Sequence, residues 1–276
     1  MYDAANDRPV VGAAVKLESL ETHRDWILER QRDVELQMFI DAEVLNGDWS
    51  GRADRVRALL DGHTGRLGLH GPFWGLSVVG LDPEVRMVVQ KRLDQALDVA
   101  QAVGGDQIVI HSPVNLWTQM NFAVVPHRRQ WFLDRIAETL RPALTRAESQ
   151  GVTFVLENIE DADPAARRHL IDQIGSPALA LSIDTGHAHW AHVATGAPPV
   201  DAFVMDAGTQ LQHVHLQDAD GQADRHWPIG MGTINWAAVF AALARSAPQA
   251  RLILELEDHD GIRPSAERLE TLGLVR

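Results

Sequence analysis

The 276-residue sequence contains no cysteine. That excludes disulfides, zinc–thiolate sites and a cysteine nucleophile. Any metal would have to be held by His, Asp and Glu, a donor set that suits Mn, Mg, Co, Fe or Zn. Positive charge is also scarce. The chain carries 25 Lys+Arg against 38 Asp+Glu, a formal net charge of -13. Such a balance gives no general attraction to nucleic acid or to an anionic membrane, so neither partner is expected. No apolar run approaches the length of a membrane span. The opening residues MYDAANDRPVVGAAVKL hold no basic region followed by a long apolar stretch, so no secretory signal is expected, and a cytoplasmic enzyme is the default reading. No linker or low-complexity segment divides the chain, which reads as a single domain over residues 1–276.

What is present is an alternation. Short apolar, β-rich runs cover Val11–Leu17, Val34–Ile40, Arg66–His70, Gln107–His111, Thr153–Glu157, Ala178–Asp184, Leu211–Leu216 and Arg251–Glu255. Helical patterns lie between them: Glu21–Arg32, Ser50–Leu60, Pro83–Val103, Arg128–Gln150, Pro164–Ile174, Val200–Ala207, Trp236–Ala244 and Pro264–Leu272. EVRMVVQKRLDQALDVAQAVG, for example, spaces its apolar residues at three and four and closes on glycine. Most strands are apolar throughout, as strands buried on both faces should be. Eight strand–helix units in a chain of this length predict an α/β fold, a (β/α)8 TIM barrel. A doubly wound sheet is the competitor. It usually carries a glycine-rich turn after the first strand, and AVKLESLETH has none.

Polar residues recur at one end of these strands. LGLHGPF ends its strand on His70, IVIHSP on His111 and FVLENIE on Glu157. LSIDTGH ends on Asp184 with His187 just beyond, HVHLQD carries His215, and LILELED carries Glu255. In a barrel these ends converge on one mouth, where active sites sit. Each residue alone has an ordinary explanation as a hydrogen-bonded or capping group. Six in register do not, because buried carboxylates cost several kcal/mol each unless paired or bound to a cation. The stretch LSIDTGHAHWAH is expected to be a strand giving way to a loop that carries site residues. The loop DADGQADRHWPIGMGTINW adds Asp224, Arg225 and His226, with glycines that allow close backbone approach. His189, His192 and His213 are expected to be structural. Trp74, Trp117, Trp190 and Trp227 fall in or near the expected mouth loops, where their aromatic faces suit sugar C–H groups and equally suit core packing, a dimer contact or a wedge into a duplex.

With its strand ends LHGPF, VIHSP, LEN, IDTGHA, HVHLQDADG, DRHWPIGMGTINW and LELE, nearly the whole chain resembles the xylose isomerase-like TIM-barrel superfamily. This superfamily includes sugar phosphate isomerases and epimerases, inosose dehydratases and metal-dependent apurinic/apyrimidinic endonucleases. The resemblance to the epimerase branch implies one divalent ion (Mn, Mg, Co or Zn) on Glu157, Asp184, His215 and Glu255. The endonuclease branch implies three zinc ions on His70, His111, Glu157, Asp184, His187, His215, Asp224, His226 and Glu255. In the epimerase reading Glu157 and Glu255 move protons through an enediolate of a small sugar substrate. His70, His111, His187, Asp224, Arg225 and His226 then bind substrate or further metal. Aromatic and acidic mouth loops favour a sugar over DNA, and a homo-oligomer is compatible with the chain. An endonuclease is the alternative, with a dehydratase of the inosose type second.

Overall fold

The computed structural model describes residues 8–122, 124 and 126–276. Eight strands run β1 Gly12–Val15, β2 Val34–Leu36, β3 Leu67–His70, β4 Gln107–His111, β5 Thr153–Glu157, β6 Leu179–Asp184, β7 Leu211–Leu216 and β8 Arg251–Leu254. All neighbours pair in parallel, and β8 returns to β1, closing a (β/α)8 barrel. Around it lie α1 Leu17–Glu29, α2 Ala42–Asn46, α3 Ser50–Leu59, α4 Pro83–Val103, α5 Leu116–Asn121, α6 Pro126–Gln150, α7 Ala165–Ile174, α8 Thr185–Thr195, α9 Val200–Ala207, α10 Trp236–Ser246 and α11 Ile262–Thr271. Among the described residues no helix is long and apolar enough to cross a membrane.

The helix ends follow local chemistry. At the start of α4 the Asp82 side chain accepts from the Glu84 N–H at 2.8 Å, with Pro83 in the first turn. Gly104 closes that helix in the left-handed region, at φ 77°. Strand pleat then sorts the barrel residues. One set faces outward into the main apolar core against the helices. Alternate residues face the barrel axis, where Val109, Val155 and Ala180 form a small separate apolar cluster. Period two carries that inward face up to His111, Glu157 and Asp184 at the strand ends.

One sequence expectation changes. The residues after Asp184 do not form a loop. Helix α8 starts immediately at Thr185, and the Asp184 side chain accepts from the His187 N–H at 2.7 Å as its N-cap. The aspartate satisfies an otherwise orphaned helix donor, so helix and strand abut without a linker. Trp190 consequently lies on a helix, partly buried against the core. Helices α2 and α5 also form where the sequence pattern suggested none; they span 5 and 6 residues, too short to show a 3.6-residue period.

Candidate functional site

The C-terminal strand ends surround a cavity of about 350 Å³, lined by His70, His111, Glu157, His187, Asp224, His226 and Glu255 among others. Beneath it lies His215, fully buried on β7. Its Nδ1 lies 2.9 Å from Glu157 Oε1 and 3.1 Å from Glu255 Oε2. Asp184 completes a buried quartet with these three residues, in which one donor atom of each lies within 4.8 Å of the others. Glu157 Oε2 and Asp184 Oδ2 are buried without any hydrogen-bond donor. Orphaned carboxylate oxygens are costly in a protein interior, and a cation is the usual remedy. The quartet therefore fits a divalent ion both in donor type and in unsatisfied valence.

Two further triads flank the quartet. His70 Nε2 and His111 Nε2 lie 3.8 and 3.6 Å from Glu157 Oε2. On the other side, His187 Nε2 is 3.2 Å from Asp224 Oδ2, and His226 Nε2 is 3.1 Å from Asp224 Oδ1. Each triad could hold a metal ion with its nitrogen and oxygen donors. The unused ring nitrogens are also fixed. His70 Nδ1 is 2.9 Å from the Gly71 carbonyl and His187 Nδ1 is 2.8 Å from the Asn158 carbonyl, which orients Nε2 of each ring into the cavity.

Arg225 is not brought to the cavity. It pairs with Asp220 at 3.0 Å and stacks 4.9 Å over Trp227. His189 bonds Thr233 and His192 bonds the Ala197 carbonyl, both away from the quartet. Trp74 lines the cavity, whereas Trp117 lies on α5 beside a separate groove.

Sequence reasoning overlooked three residues. Gln217 donates to Asp184 Oδ1 at 3.1 Å and to Asp224 Oδ1 at 2.9 Å, and its carbonyl accepts from the His226 N–H at 2.8 Å. It ties the β7 loop to the quartet, and it holds His226 in the left-handed region at φ 47°, where a non-glycine residue is strained. Gly186 makes room for it, since a Cβ there would lie 2.3 Å from the Gln217 amide. Gln37 donates to Glu255 Oε1 at 2.6 Å. Glu35 lies beneath His215. The alternation in VELQ was the available signal, because period two turns Glu35 and Gln37 to the same, inner face. The β7 loop is anchored by buried Asp218, which accepts from the Gly230 N–H at 2.7 Å and from Trp236 Nε1 at 3.1 Å.

The protons are distributed unequally over this cluster. Burial would raise the Glu157 carboxyl, but His215, His111 and His187 hold it well below the usual range. Burial raises Asp184 and Glu255, against the pull of His187 and His215 respectively. His215 and His187 overcome burial and sit well above an ordinary imidazole, because Glu255, Glu35 and Glu157 face the first and Asp184, Asp224 and Glu157 the second. Against burial, Asp224 and Glu255 raise His226 to about 10. Burial pushes His111 down to about 3, with His70 and His187 adding to the effect. Without a metal, protons on His215, His187 and His226 offset the carboxylates. Divalent ions on the quartet and on the His187–Asp224–His226 triad would displace them.

A model of the family described as xylose isomerase-like TIM barrel matches residues 33–272. The chain belongs to this family. Among curated relatives, a 2-epi-5-epi-valiolone 7-phosphate 2-epimerase of an Actinoplanes species is 28% identical over 221 residues, covering 78% of this chain and 73% of its own. An uncharacterised protein of Methanocaldococcus jannaschii is 25% identical over 185 residues, 63% of this chain, and the match spans only 59% of that relative's length. Among solved structures, a Thermus thermophilus protein studied by soaking with ZnCl2 is 26% identical with a TM-score of 0.69, the match covering 96% of this chain and 99% of that one. A D-tagatose 3-epimerase-like protein has a TM-score of 0.75 at 22% identity, over 96% of this chain and 98% of its own, a likeness of fold.

Proposed function

We propose that the protein is a metal-dependent isomerase or epimerase of a sugar or sugar-derived keto-polyol. The observation that carries this reading is the pair of buried carboxylates, Glu157 and Glu255, set against one edge of His215 beside an Asp184 oxygen that has no donor. The Actinoplanes relative, an epimerase by name, supports the same chemistry. Glu157, Asp184, His215 and Glu255 would hold the ion. When bound, it supplies a Lewis acid that draws negative charge onto a substrate carbonyl and an adjacent hydroxyl.

The chain's own residues do the rest. Glu157 rises from β5 and Glu255 follows β8, so they approach a sugar in the cavity from different sides. One carboxylate takes the proton from the carbon beside the carbonyl, and the other returns a proton from the opposite face. An isomerase would use the same groups to move the proton between neighbouring carbons. Gln37 fixes the Glu255 carboxylate by its 2.6 Å bond, limiting reorientation during transfer. His70 and His111 offer Nε2 atoms to substrate hydroxyls, while Phe73 and Trp74 supply apolar walls for its C–H faces. Incubation with a panel of ketoses and keto-polyols in deuterated water tests the reading. Deuterium should enter at the carbon beside the carbonyl, and Glu157→Gln should reduce that exchange more than it reduces metal binding.

A second reading has its own observation. Three donor clusters share one mouth, and Glu157 belongs to two of them. Several ions there could activate water for phosphodiester hydrolysis, as in an apurinic/apyrimidinic endonuclease. Metal-dependent cleavage of an abasic-site duplex, with no exchange on any sugar, would select it.

A further inference from the structure

A buried layer of polar groups lies directly under the quartet, and the chemistry above does not use it. Glu35 on β2 is 2% exposed. Its carboxylate lies 3.0 and 3.2 Å from His215 Nε2, the ring nitrogen facing away from Glu157 and Glu255. His213 Nε2 lies 3.0 Å from the same Glu35 oxygen, in contact though not aligned for a hydrogen bond, and burial keeps its imidazole neutral. The far nitrogen of His213 is 3.0 Å from Ser182 Oγ. In register, Glu35 sits between Ala14 and Gly68, whose small size leaves room for these groups inside the barrel.

We propose that Glu35 is a positioning residue: its carboxylate accepts the Nε2 proton of His215 and so turns that ring's Nδ1 lone pair toward Glu157, Asp184 and Glu255. The inference rests on the metal reading above. A neutral imidazole carries one N–H, and only the other nitrogen can ligate. With two carboxylates 2.9 and 3.1 Å from Nδ1, an isolated His215 would favour its proton on that side, in the direction an ion must occupy. Glu35 supplies a competing acceptor on the opposite edge. It resolves the choice of tautomer in favour of ligation and makes the ring a stronger donor to the ion. His213 on β7, itself bonded to Ser182 on β6, packs against the Glu35 carboxylate from across the barrel. His213 thus belongs to the support of the site, not to an inert core.

The test uses Glu35→Gln and Glu35→Ala in the full chain. Gln keeps the shape and one acceptor oxygen but loses the charge. Zinc affinity is measured by chelator competition, and the His215 ring is followed by ¹⁵N NMR in metal-free and zinc-loaded protein. Wild type should show an Nε2-bound proton protected from exchange. Zinc affinity should fall tenfold or more in Glu35→Ala and less in Glu35→Gln, with the Nε2 signal shifted or lost in both. Should Glu35→Ala fail to fold, Glu35→Gln decides alone. Native zinc affinity together with an unchanged His215 signal in a folded variant overturns the inference. Wild-type protein that takes up no zinc overturns the metal reading and this inference with it.

Discussion

Replacing Asp184 by Asn separates the two jobs this aspartate performs. Its Oδ1 caps α8 through the 2.7 Å bond from the His187 N–H, and its Oδ2 is the orphaned oxygen of the quartet. Asparagine is as good an N-cap as aspartate, so the cap survives. The variant also removes a charge that burial disfavours by more than His187 and His226 favour it. Metal-free Asp184→Asn protein should therefore melt at or above the wild-type temperature. The response to metal should differ. An ion at a hundredfold its Kd, bound only to the folded state, adds about 2.7 kcal/mol. For a chain of 276 residues that amounts to a rise of roughly 5 °C in Tm. Wild type should show the shift, and Asp184→Asn should lose most of it. Asp184→Ala should lose the shift and, without its cap, melt about 2 °C lower, since a lost cap costs about 1 kcal/mol. Thermal melts with chelator and with Mn, Co or Zn read all of this. A full metal shift in Asp184→Asn would refute the assignment.

Three further perturbations probe other parts of the account. Metal binding near neutral pH should release protons, because His187, His215 and His226 are held protonated above their ordinary range. For His226 the sign is clear: its pairing stabilises the metal-free fold fully below about 6.5 and is lost as pH rises through about 10. Titration of metal into weakly buffered protein should acidify the solution, and no acidification would count against proton displacement. Gly186→Ala should push Gln217 off Asp184 and Asp224, since a Cβ there would lie 2.3 Å from the amide; metal affinity should fall by more than thermal stability, and an unchanged affinity would show that Gln217 is dispensable. Arg167→Ala should cost about 3–5 kcal/mol in denaturant unfolding, because Arg167 is buried against Asp161 at 3.2 Å and donates to the Leu156 and Ser182 carbonyls near the ends of β5 and β6; a loss under 1 kcal/mol would contradict this.

The barrel was legible because its strands are apolar runs ended by polar residues, and because α4 carries a complete cap at each end. Those same ends placed His70, His111, Glu157 and Glu255 around one cavity, with Asp184 and His215 buried beneath it. What the sequence hid depends on depth and on local competition. LSIDTGHAHWAH read as a loop because histidine and glycine are indifferent helix formers; the Asp184 cap and the packing of Ala188 and Ala191 decide for a helix. Glu35 and His213 lie one inward-facing step below the mouth, a position that strand-end patterning does not mark. Arg225 shares the charged loop with Asp224 and His226 but turns outward to Asp220, a choice between neighbouring carboxylates that spacing does not determine.

The central claim is that a metal held at Glu157, Asp184, His215 and Glu255 serves proton transfer on a sugar. Solvent deuterium incorporation, followed by NMR across a ketose and keto-polyol panel with metal-loaded and chelated protein, tests it most directly. The account predicts metal-dependent exchange at the carbon beside the carbonyl on at least one member, nearly abolished in Glu157→Gln protein that still binds metal. No exchange on any member, together with metal-dependent cleavage of an abasic-site duplex by the same preparation, would contradict it.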